Sequence, residues 1–253
     1  AEDDFWKIFS YYKEQDRLFA AYNKAGIAQG DNFVNMAGKT VKFNRETVSD
    51  EAASIVRNNI PNYAYVSDFV KGLRQYPVGN FVSFPAEIMR TGTNIVQRGL
   101  DEIFYSVKVG KNTVNPLRNI GLTRLLGMGV TTSVIPYAAV SAGQALYDIS
   151  RDELEAIKRY VPKWSKNSTI IPLKGEDGKF KYIDFSHMNA YDTLTRPIQT
   201  VINKVQAGEQ DKDGIMDDFI LGLFESTKEL ADPFISESIW TEALADIYMR
   251  GGE

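Results

Sequence analysis

The chain has 253 residues, of which 43% are hydrophobic and 12% aromatic, and its formal net charge is −4. This composition can build a sizeable core, so wholesale disorder is excluded, and the mild charge does not by itself indicate nucleic acid. The absence of cysteine excludes disulfides and thiolate metal sites, and any histidine-dependent centre would rest on His187 alone. Because the chain starts at Ala1 and shows no signal-peptide pattern, we interpret it as an excised or processed part of a longer protein.

The N-terminal half reads as helices separated by loops. A first helix is predicted to end at Gly26, and the Gly- and Asn-rich residues 27–46 are predicted to be loop. Thr47 and Asp50 have the spacing of a capping box, which predicts a helix that stops near residues 58–59. A short helix is predicted at 66–73. Ser83 and Pro85 then open a long amphipathic helix, whose predicted stop is Gly110.

In the C-terminal half the pattern of apolar residues changes once, from a helical to a strand-like spacing. Ser150 and Glu153 form a second capping box for a helix that runs to Tyr160. Two β-prone runs around a Gly- and Asp-containing turn predict a β-hairpin at about 168–185. Three more helices are predicted over 195–208, from Met216 to a stop before Asp232-Pro233, and over 239–247.

These elements predict a mainly α protein, a multi-helix assembly with one β-hairpin. Along the chain we divide it into an N-terminal helical region (1–110), an uncharged small-residue helical segment (111–149) and a helix–hairpin–helix C-terminal region (150–253).

Charge is unevenly distributed along the chain. Residues 57–124 hold nine Lys or Arg against four Asp or Glu, whereas residues 205–253 hold three against twelve. This asymmetry could steer subunits together or favour a polyanion at the basic middle, or it could reflect two differently solvated faces of one fold. The candidate contacts to DNA or another anion are Arg90, Arg98, Lys108, Lys111, Arg118 and Arg124.

The 23 residues from Leu125 to Tyr147 carry no charge. As a helix they could cross a hydrocarbon core, but polar residues dilute them and Pro136 would kink the helix. One interpretation is a segment that enters a membrane or lines a channel; the other is a buried helical hairpin, bent at Pro136, inside a soluble oligomer. The segment is represented by Leu125, Leu126, Val130, Val134, Ile135, Pro136, Ala139, Gly143 and Leu146.

Patterns that would indicate catalysis are broken. Gly38-Lys39-Thr40 lacks the earlier glycine of a phosphate loop, because position 33 is Phe33. The acidic stretch from Glu209 lacks the final glutamate of an EF-hand, because that position is Ile220. His187, near Asp184 and Asp192, is interpreted as a structural residue. We therefore expect no catalytic residue, no metal site and no cofactor.

One part of the sequence carries a resemblance. It comprises residues 159–168, the hairpin to residues 184–186, residues 189–192 and Arg196-Pro197. It resembles a segment of the very large internal virion proteins of short-tailed phages, which include ejection or core proteins and the giant chains that carry a virion RNA polymerase. The resemblance covers mainly residues 150–205. The residues that represent it are Pro162, Trp164, Asn167, Ser168, Asp184, Tyr191 and Pro197.

The resemblance implies a protein that is packaged in the virion and ejected with the genome. Such a protein would contribute structurally to DNA translocation across the host envelope. The partners it implies are further copies of the chain, portal and core proteins, DNA, and the host membrane after ejection. The alternative is a packaging or docking module of a virion RNA polymerase that binds portal or capsid proteins. No catalytic residue is carried over, and the acidic C-terminal part departs from the ejection picture, since it would repel DNA in a lumen.

Overall fold

A computed structural model describes residues 2–60, 79–162, 168–188 and 190–236; side chains are described for 4–60, 87–162, 168–186 and 191–226. The predicted helices at 66–73 and 239–247 lie outside the described residues. The prediction of a mainly α protein is confirmed. The chain forms two compact units, Ala1–Met128 with Lys204–Met216, and Gly129–Asn203 with Asp217–Glu253. The three-region division made from sequence stays a prediction.

The first unit is built from helices joined by two small antiparallel hairpins. In chain order its elements are α1 (Glu2–Lys24), β1 (Asn32–Val34), β2 (Thr40–Lys42), α2 (Arg45–Asn59), α3 (Gly79–Phe104), β3 (Val107–Val109), β4 (Asn112–Val114) and α4 (Arg118–Gly129). Its core is rich in aromatic rings: Tyr22 lies 4.9 Å from Phe33 and 5.6 Å from Phe43 between ring centroids. All three are buried, so the first hairpin is attached to α1 by apolar contacts.

The two hairpins of this unit correct the prediction of a single hairpin. Each strand has three residues, too few to show an alternating apolar pattern. Glycines at positive φ lie in the turns, Gly38 at +73° and Gly110 at +59°. The long helix therefore ends at Phe104, and Gly110 belongs to the hairpin that follows.

Helix α2 begins one turn earlier than predicted. Its N-cap is Asn44, whose side chain accepts a hydrogen bond of 2.8 Å from the backbone N–H of Thr47. The capping-box prediction for Thr47 and Asp50 is therefore wrong, while the predicted end near residue 59 is confirmed.

Helices α3 and α4 approach closely through two glycines. A Cβ atom added to Gly121 would lie 2.4 Å from the carbonyl oxygen of Gly99, and one added to Gly99 would lie 2.8 Å from Leu125. Only hydrogen fits on both sides of this crossing, and the close approach brings the side chains of the two helices together.

The second unit packs helices around the predicted hairpin. Its elements include a π-helical turn (Val130–Val134), α5 (Ile135–Leu146), α6 (Arg151–Tyr160), β5 (Ile170–Lys174), β6 (Phe180–Asp184), α7 (Phe185–Met188) and a 3₁₀ turn (Ala190–Leu194). Helix α8 (Thr195–Gln206) and helix α9 (Lys212–Ser236) follow in the chain. Ile149, Ile157, Val161 and Ile170 form a small buried cluster that joins α6 to β5.

Several predictions for the C-terminal half are confirmed and one is wrong. Ser150 and Glu153 form both hydrogen bonds of a capping box, and α6 ends at Tyr160 as predicted. The hairpin pairs Ile170 with Asp184. Helix α9, however, continues through Pro233 to Ser236. The fixed φ of proline is compatible with a helix, so this position costs a hydrogen bond without ending the helix.

The crossing of α3 and α4 predicts opposite effects for two glycines of the same helix. Gly121→Ala should lower the free energy of unfolding by about 1–3 kcal/mol, because the new methyl group meets a backbone oxygen that cannot rotate away. Gly127→Ala should raise it by about 0.5–1 kcal/mol, because its Cβ meets open space and alanine favours helix. Urea unfolding of both variants measures the difference, and equal effects would contradict the close crossing.

Candidate functional site

The uncharged segment forms part of one long helix. From Arg118 to Leu146 the backbone is helical over 29 residues. Within the part of the chain that the structure describes, it is the single helix whose length and composition would allow it to cross a membrane. Its most apolar 18-residue window has a mean hydropathy of 1.4, and 22% of that window is buried. A core helix of a soluble protein would be mostly buried. The predicted hairpin bent at Pro136 is wrong, because Gly129, Val134 and Ile135 all have helical φ and ψ.

The structure separates the predicted residues of this segment into exposed and buried sets. About half or more of the side chain is exposed at Leu126, Val130, Val134, Ile135 and Leu146, whereas Leu125, Pro136 and Gly143 are buried and Ala139 is half-buried. Tyr137, which was not singled out, is 71% exposed. The exposed set is apolar, so the helix presents an uncharged apolar surface that the described residues do not cover.

Pro136 explains the π-helical turn that precedes it. Proline has no N–H and cannot donate to the carbonyl four residues earlier, which belongs to Thr132. The N–H of Ile135 instead donates to Val130, five residues earlier, so the turn is widened. The hydroxyl of Thr195 donates to the Thr132 carbonyl at 2.7 Å. A buried carbonyl that proline cannot serve is therefore satisfied from another element.

Helix α8 lies directly against this widened turn. A Cβ atom on Gly129 would lie 2.5 Å from Ile202, so the glycine lets α8 approach closely. Gln199 donates a hydrogen bond of 3.1 Å to the hydroxyl of Ser133. At the other end of the segment, a Cβ atom on Gly143 would lie 2.8 Å from the carbonyl oxygen of Pro172, so α5 packs closely on β5. One side of the segment thus packs against other elements of the second unit.

Two hydroxyl groups from the ends of the hairpin donate to one carboxylate in the 3₁₀ turn. Asp192 accepts hydrogen bonds from Ser186 and, at 3.1 and 3.2 Å, from Thr169. The hydroxyl of Ser186 in turn accepts the backbone N–H of Thr169 at 2.7 Å. These bonds join the two ends of the hairpin to the 3₁₀ turn, which gives Asp192 a role in holding the fold together.

The described residues chosen for the resemblance differ in burial. Pro197 is buried, where it packs against Gly222, and Pro162, Ser168, Asp184 and Tyr191 are half-buried. Trp164 and Asn167 lie outside the described residues. The side chain of His187 is likewise not described, and its backbone belongs to α7. In the part of the chain that the structure describes, no group of His, Asp or Glu is arranged to hold a metal ion.

Three of the six candidate anion contacts form ion pairs inside the first unit. Arg90 pairs with Glu87 at 2.6 Å. Arg98 and Arg124 are 17% and 9% exposed, and both contact Glu102, whose side chain is fully buried. Lys108, Lys111 and Arg118 are exposed. Arg98 and Arg124 are therefore structural cations, and the exposed three are better placed for a polyanion.

Arg124 is held by two carboxylates at once. Its Nε and Nη2 atoms donate to both oxygens of Glu102, each at 3.0 Å. Its Nη1 and Nη2 atoms donate to both oxygens of Glu14 at 3.2 and 2.9 Å. Two-point pairing of this kind uses the planar geometry of the guanidinium, which lysine cannot reproduce.

The ion pairs continue from Arg124 across four helices. Arg98 donates to Glu102 at 2.7 Å and to Glu51 at 2.6 Å. Tyr22 donates to the other oxygen of Glu51 at 3.2 Å. With Arg17, which donates to Glu14 at 3.0 Å, the network contains three arginines and three glutamates and is formally neutral. It joins α1, α2, α3 and α4.

The network shifts the pKa values of its members. Burial raises the pKa of Glu14, but the hydrogen bonds from Arg124 and the charges of the nearby arginines lower it by more, so it lies below 4.5. Burial lowers the pKa of Arg124, yet Glu102 and Glu14 raise it further, so the guanidinium stays charged. Burial, followed by the charge of Glu51, raises the pKa of Tyr22 far above its ordinary value. Glu14 and Arg124 are thus charged at neutral pH, and the phenol of Tyr22 is neutral.

Comparisons of the chain with protein-family models, with curated proteins and with solved structures found no match.

The lowered pKa of Glu14 predicts a pH-dependent contribution to stability. A carboxyl with a depressed folded-state pKa stabilises the fold above its unfolded pKa, and that stability is lost as the pH falls below about 4.5. Glu14→Gln should therefore lower the free energy of unfolding by roughly 1–3 kcal/mol at pH 7 and by much less at pH 3. Chemical denaturation at both pH values measures this. Asp16→Asn, at an exposed carboxyl of the same helix, serves as the control; a loss from Glu14→Gln that does not change with pH would contradict the assignment.

The hydroxyl of Thr195 should contribute to stability through the Thr132 carbonyl. Thr195→Val keeps the shape and removes the donor, so we expect the free energy of unfolding to fall by about 1–3 kcal/mol. Thr195→Ser keeps the donor and should recover most of the loss. If the serine and valine variants unfold at the same denaturant concentration, the hydrogen bond is not what matters at this position.

Proposed function

We propose that this chain is a non-catalytic structural component of a phage particle, one that is ejected with the genome and contributes to DNA translocation across the host envelope. The observation that supports the proposal is the exposed apolar side of the uncharged segment Leu125–Tyr147, most of which belongs to the helix Arg118–Leu146. An apolar surface of this kind is costly in water, so it is expected to be covered by lipid or protein in the functional state. The resemblance over residues 150–205 supports the virion setting.

The second unit suits a role in which the uncharged segment meets a membrane while the rest stays folded. The buried side of the segment is held by the hydroxyl of Thr195 and by the close contacts at Gly129 and Gly143. The exposed side holds Val130, Val134, Ile135 and Tyr137 without a charge among them. A folded unit can therefore offer this side to the interfacial region of a bilayer.

The alternative is a packaging or docking module of a virion RNA polymerase that binds portal or capsid proteins. It is favoured by the acidic end of the chain, where residues 205–253 hold twelve acidic against three basic side chains. Such an acidic sequence would be repelled by DNA and by anionic lipid, and it would suit a basic protein partner.

Vesicle flotation tests the membrane part. The wild-type chain should float with phosphatidylcholine–phosphatidylglycerol vesicles, and the double variant Val134→Lys/Ile135→Lys should lower the partition coefficient at least tenfold, because lysine is costly in hydrocarbon. Both positions are exposed, so the fold should be kept. Asn203→Lys, at an exposed polar position, is the control.

If the wild-type chain does not float at any pH or lipid composition, the membrane part is wrong and the docking module becomes the better interpretation. If the wild type and the double variant float equally, lipid binds elsewhere on the chain.

A further inference from the structure

A polar cleft of about 260 Å³ lies between α2 and α3 in the first unit. Four polar residues of α3 line it at the spacing i, i+3, i+4, i+7, which places them on one side of the helix: Asn94, Gln97, Arg98 and Asp101. Helix α2 contributes two neighbouring asparagines, Asn58 and Asn59. Walls of this kind offer hydrogen bonds to a polar molecule, whereas the pockets of apolar ligands are lined mainly by hydrophobic side chains.

Hydrogen bonds between the two helices keep the cleft in shape. The side-chain amide of Asn94 donates to the backbone carbonyl of Asn58 at 3.0 Å, and Nη1 of Arg90 donates to the same oxygen at 3.4 Å. Arg98 in turn donates to Glu51 of α2 at 2.6 Å. A site whose side chains are already ordered loses little entropy when a ligand binds.

One amide that lines the cleft has an unpaired nitrogen. The Nδ2 atom of Asn59 is buried and has no hydrogen-bond partner among the described residues. The torsion that orients an asparagine amide is soft, so a small rotation turns this nitrogen toward the cleft. An unpaired buried donor costs stability, and its position beside a polar cleft indicates that a molecule bound there supplies the acceptor.

Two charged side chains of the cleft also have unused hydrogen-bonding atoms. Arg98 donates to Glu102 through Nε and to Glu51 through Nη2, so its Nη1 atom has no acceptor in the described part of the chain. Asp101 accepts from Lys212 at 3.0 Å through Oδ1, which leaves its Oδ2 atom as an acceptor. The cleft therefore offers donors and an acceptor to the same ligand.

The charges at the cleft are already balanced. Arg98 contacts two glutamates, Glu51 and Glu102, and Asp101 pairs with Lys212. A phosphate would meet Asp101 and both glutamates, and a cation would meet Arg98 and Lys212, so neither is favoured. The cleft suits a neutral molecule whose groups both donate and accept, as the hydroxyls of a sugar do. Since pockets for drug-sized ligands measure roughly 300–1,000 Å³, this smaller cleft has room for one sugar ring.

We propose that the cleft between α2 and α3 binds a neutral saccharide, as a single ring or as the terminal residue of a glycan. Nδ2 of Asn59 and Nη1 of Arg98 donate to the sugar, and Oδ2 of Asp101 accepts from one of its hydroxyls. This inference does not depend on the proposed function, since it concerns a site in the other unit.

Nuclear magnetic resonance titration of the whole ¹⁵N-labelled chain tests the site. The probes are D-glucose, D-galactose, D-mannose and N-acetyl-D-glucosamine, with sodium phosphate as the anionic comparison. At least one sugar should shift the side-chain amide signals of Asn59 and Gln97 in a saturable way. The dissociation constant should be on the order of 1–10 mM, because a single ring has few atoms to contribute binding energy. No saturable shift with any of the four sugars overturns the proposal, and saturation by phosphate in their place assigns the cleft to an anion.

Variants separate a ligand contact from a structural one. Asn59→Leu should raise the dissociation constant at least tenfold, followed through the Gln97 amide, and should not lower the unfolding midpoint, because it removes a donor that the fold leaves unpaired. Asp101→Asn keeps an oxygen for Lys212 and should weaken binding several-fold. Asn119→Leu, at an exposed amide of α4 outside the cleft, should leave binding unchanged. An Asn59→Leu variant that binds sugar like the wild type, or that unfolds at a lower denaturant concentration, overturns the role given to this amide.

Discussion

The first unit depends on one guanidinium placed between two carboxylates. Arg124 has no other way to balance its charge at 9% exposure than the paired oxygens of Glu14 and Glu102, and Glu102 is completely buried. Burying such groups costs several kcal/mol per ion, which only near-ideal geometry offsets. The close crossing of α3 and α4 brings Glu102 and Arg124 into that geometry. Glu14 of α1 then pairs with Arg124, and Glu51 of α2 pairs with Arg98.

In the second unit a proline, Pro136, lies inside a long helix. The widened turn accommodates the missing N–H of Pro136, and the hydroxyl of Thr195 donates to the carbonyl of Thr132. The backbone thus stays helical through Pro136. This matters for function, because an uninterrupted helix presents its apolar residues as one surface, whereas a bent hairpin would have buried them against each other.

Local sequence patterns predicted the elements whose causes are local. The capping box at Ser150 and Glu153, the hairpin around Gly178 and the end of α8 before Gly208 each depend on a few neighbouring residues. The network could not be predicted in the same way. Arg98 and Glu102 show the i, i+4 spacing of a helical ion pair, but Glu14 and Arg124 are 110 positions apart. From sequence, the basic middle of the chain therefore suggested DNA contacts, although Arg98 and Arg124 pair with the buried Glu102. The widened turn was equally hidden, since Thr195 lies 63 positions from Thr132.

The glycine crossing and the charge network are related by spacing. Gly99 precedes Glu102 by three residues on one helix, and Gly121 precedes Arg124 by three residues on the other. One helical turn therefore separates each contact glycine from the charged side chain that it brings into reach. A relative too distant for overall similarity would still need a small residue and an acid at this interval on one helix, and a small residue and an arginine at the same interval on the next. The paired pattern, Gly-x-x-Glu followed by Gly-x-x-Arg, is a signature by which such relatives can be recognised.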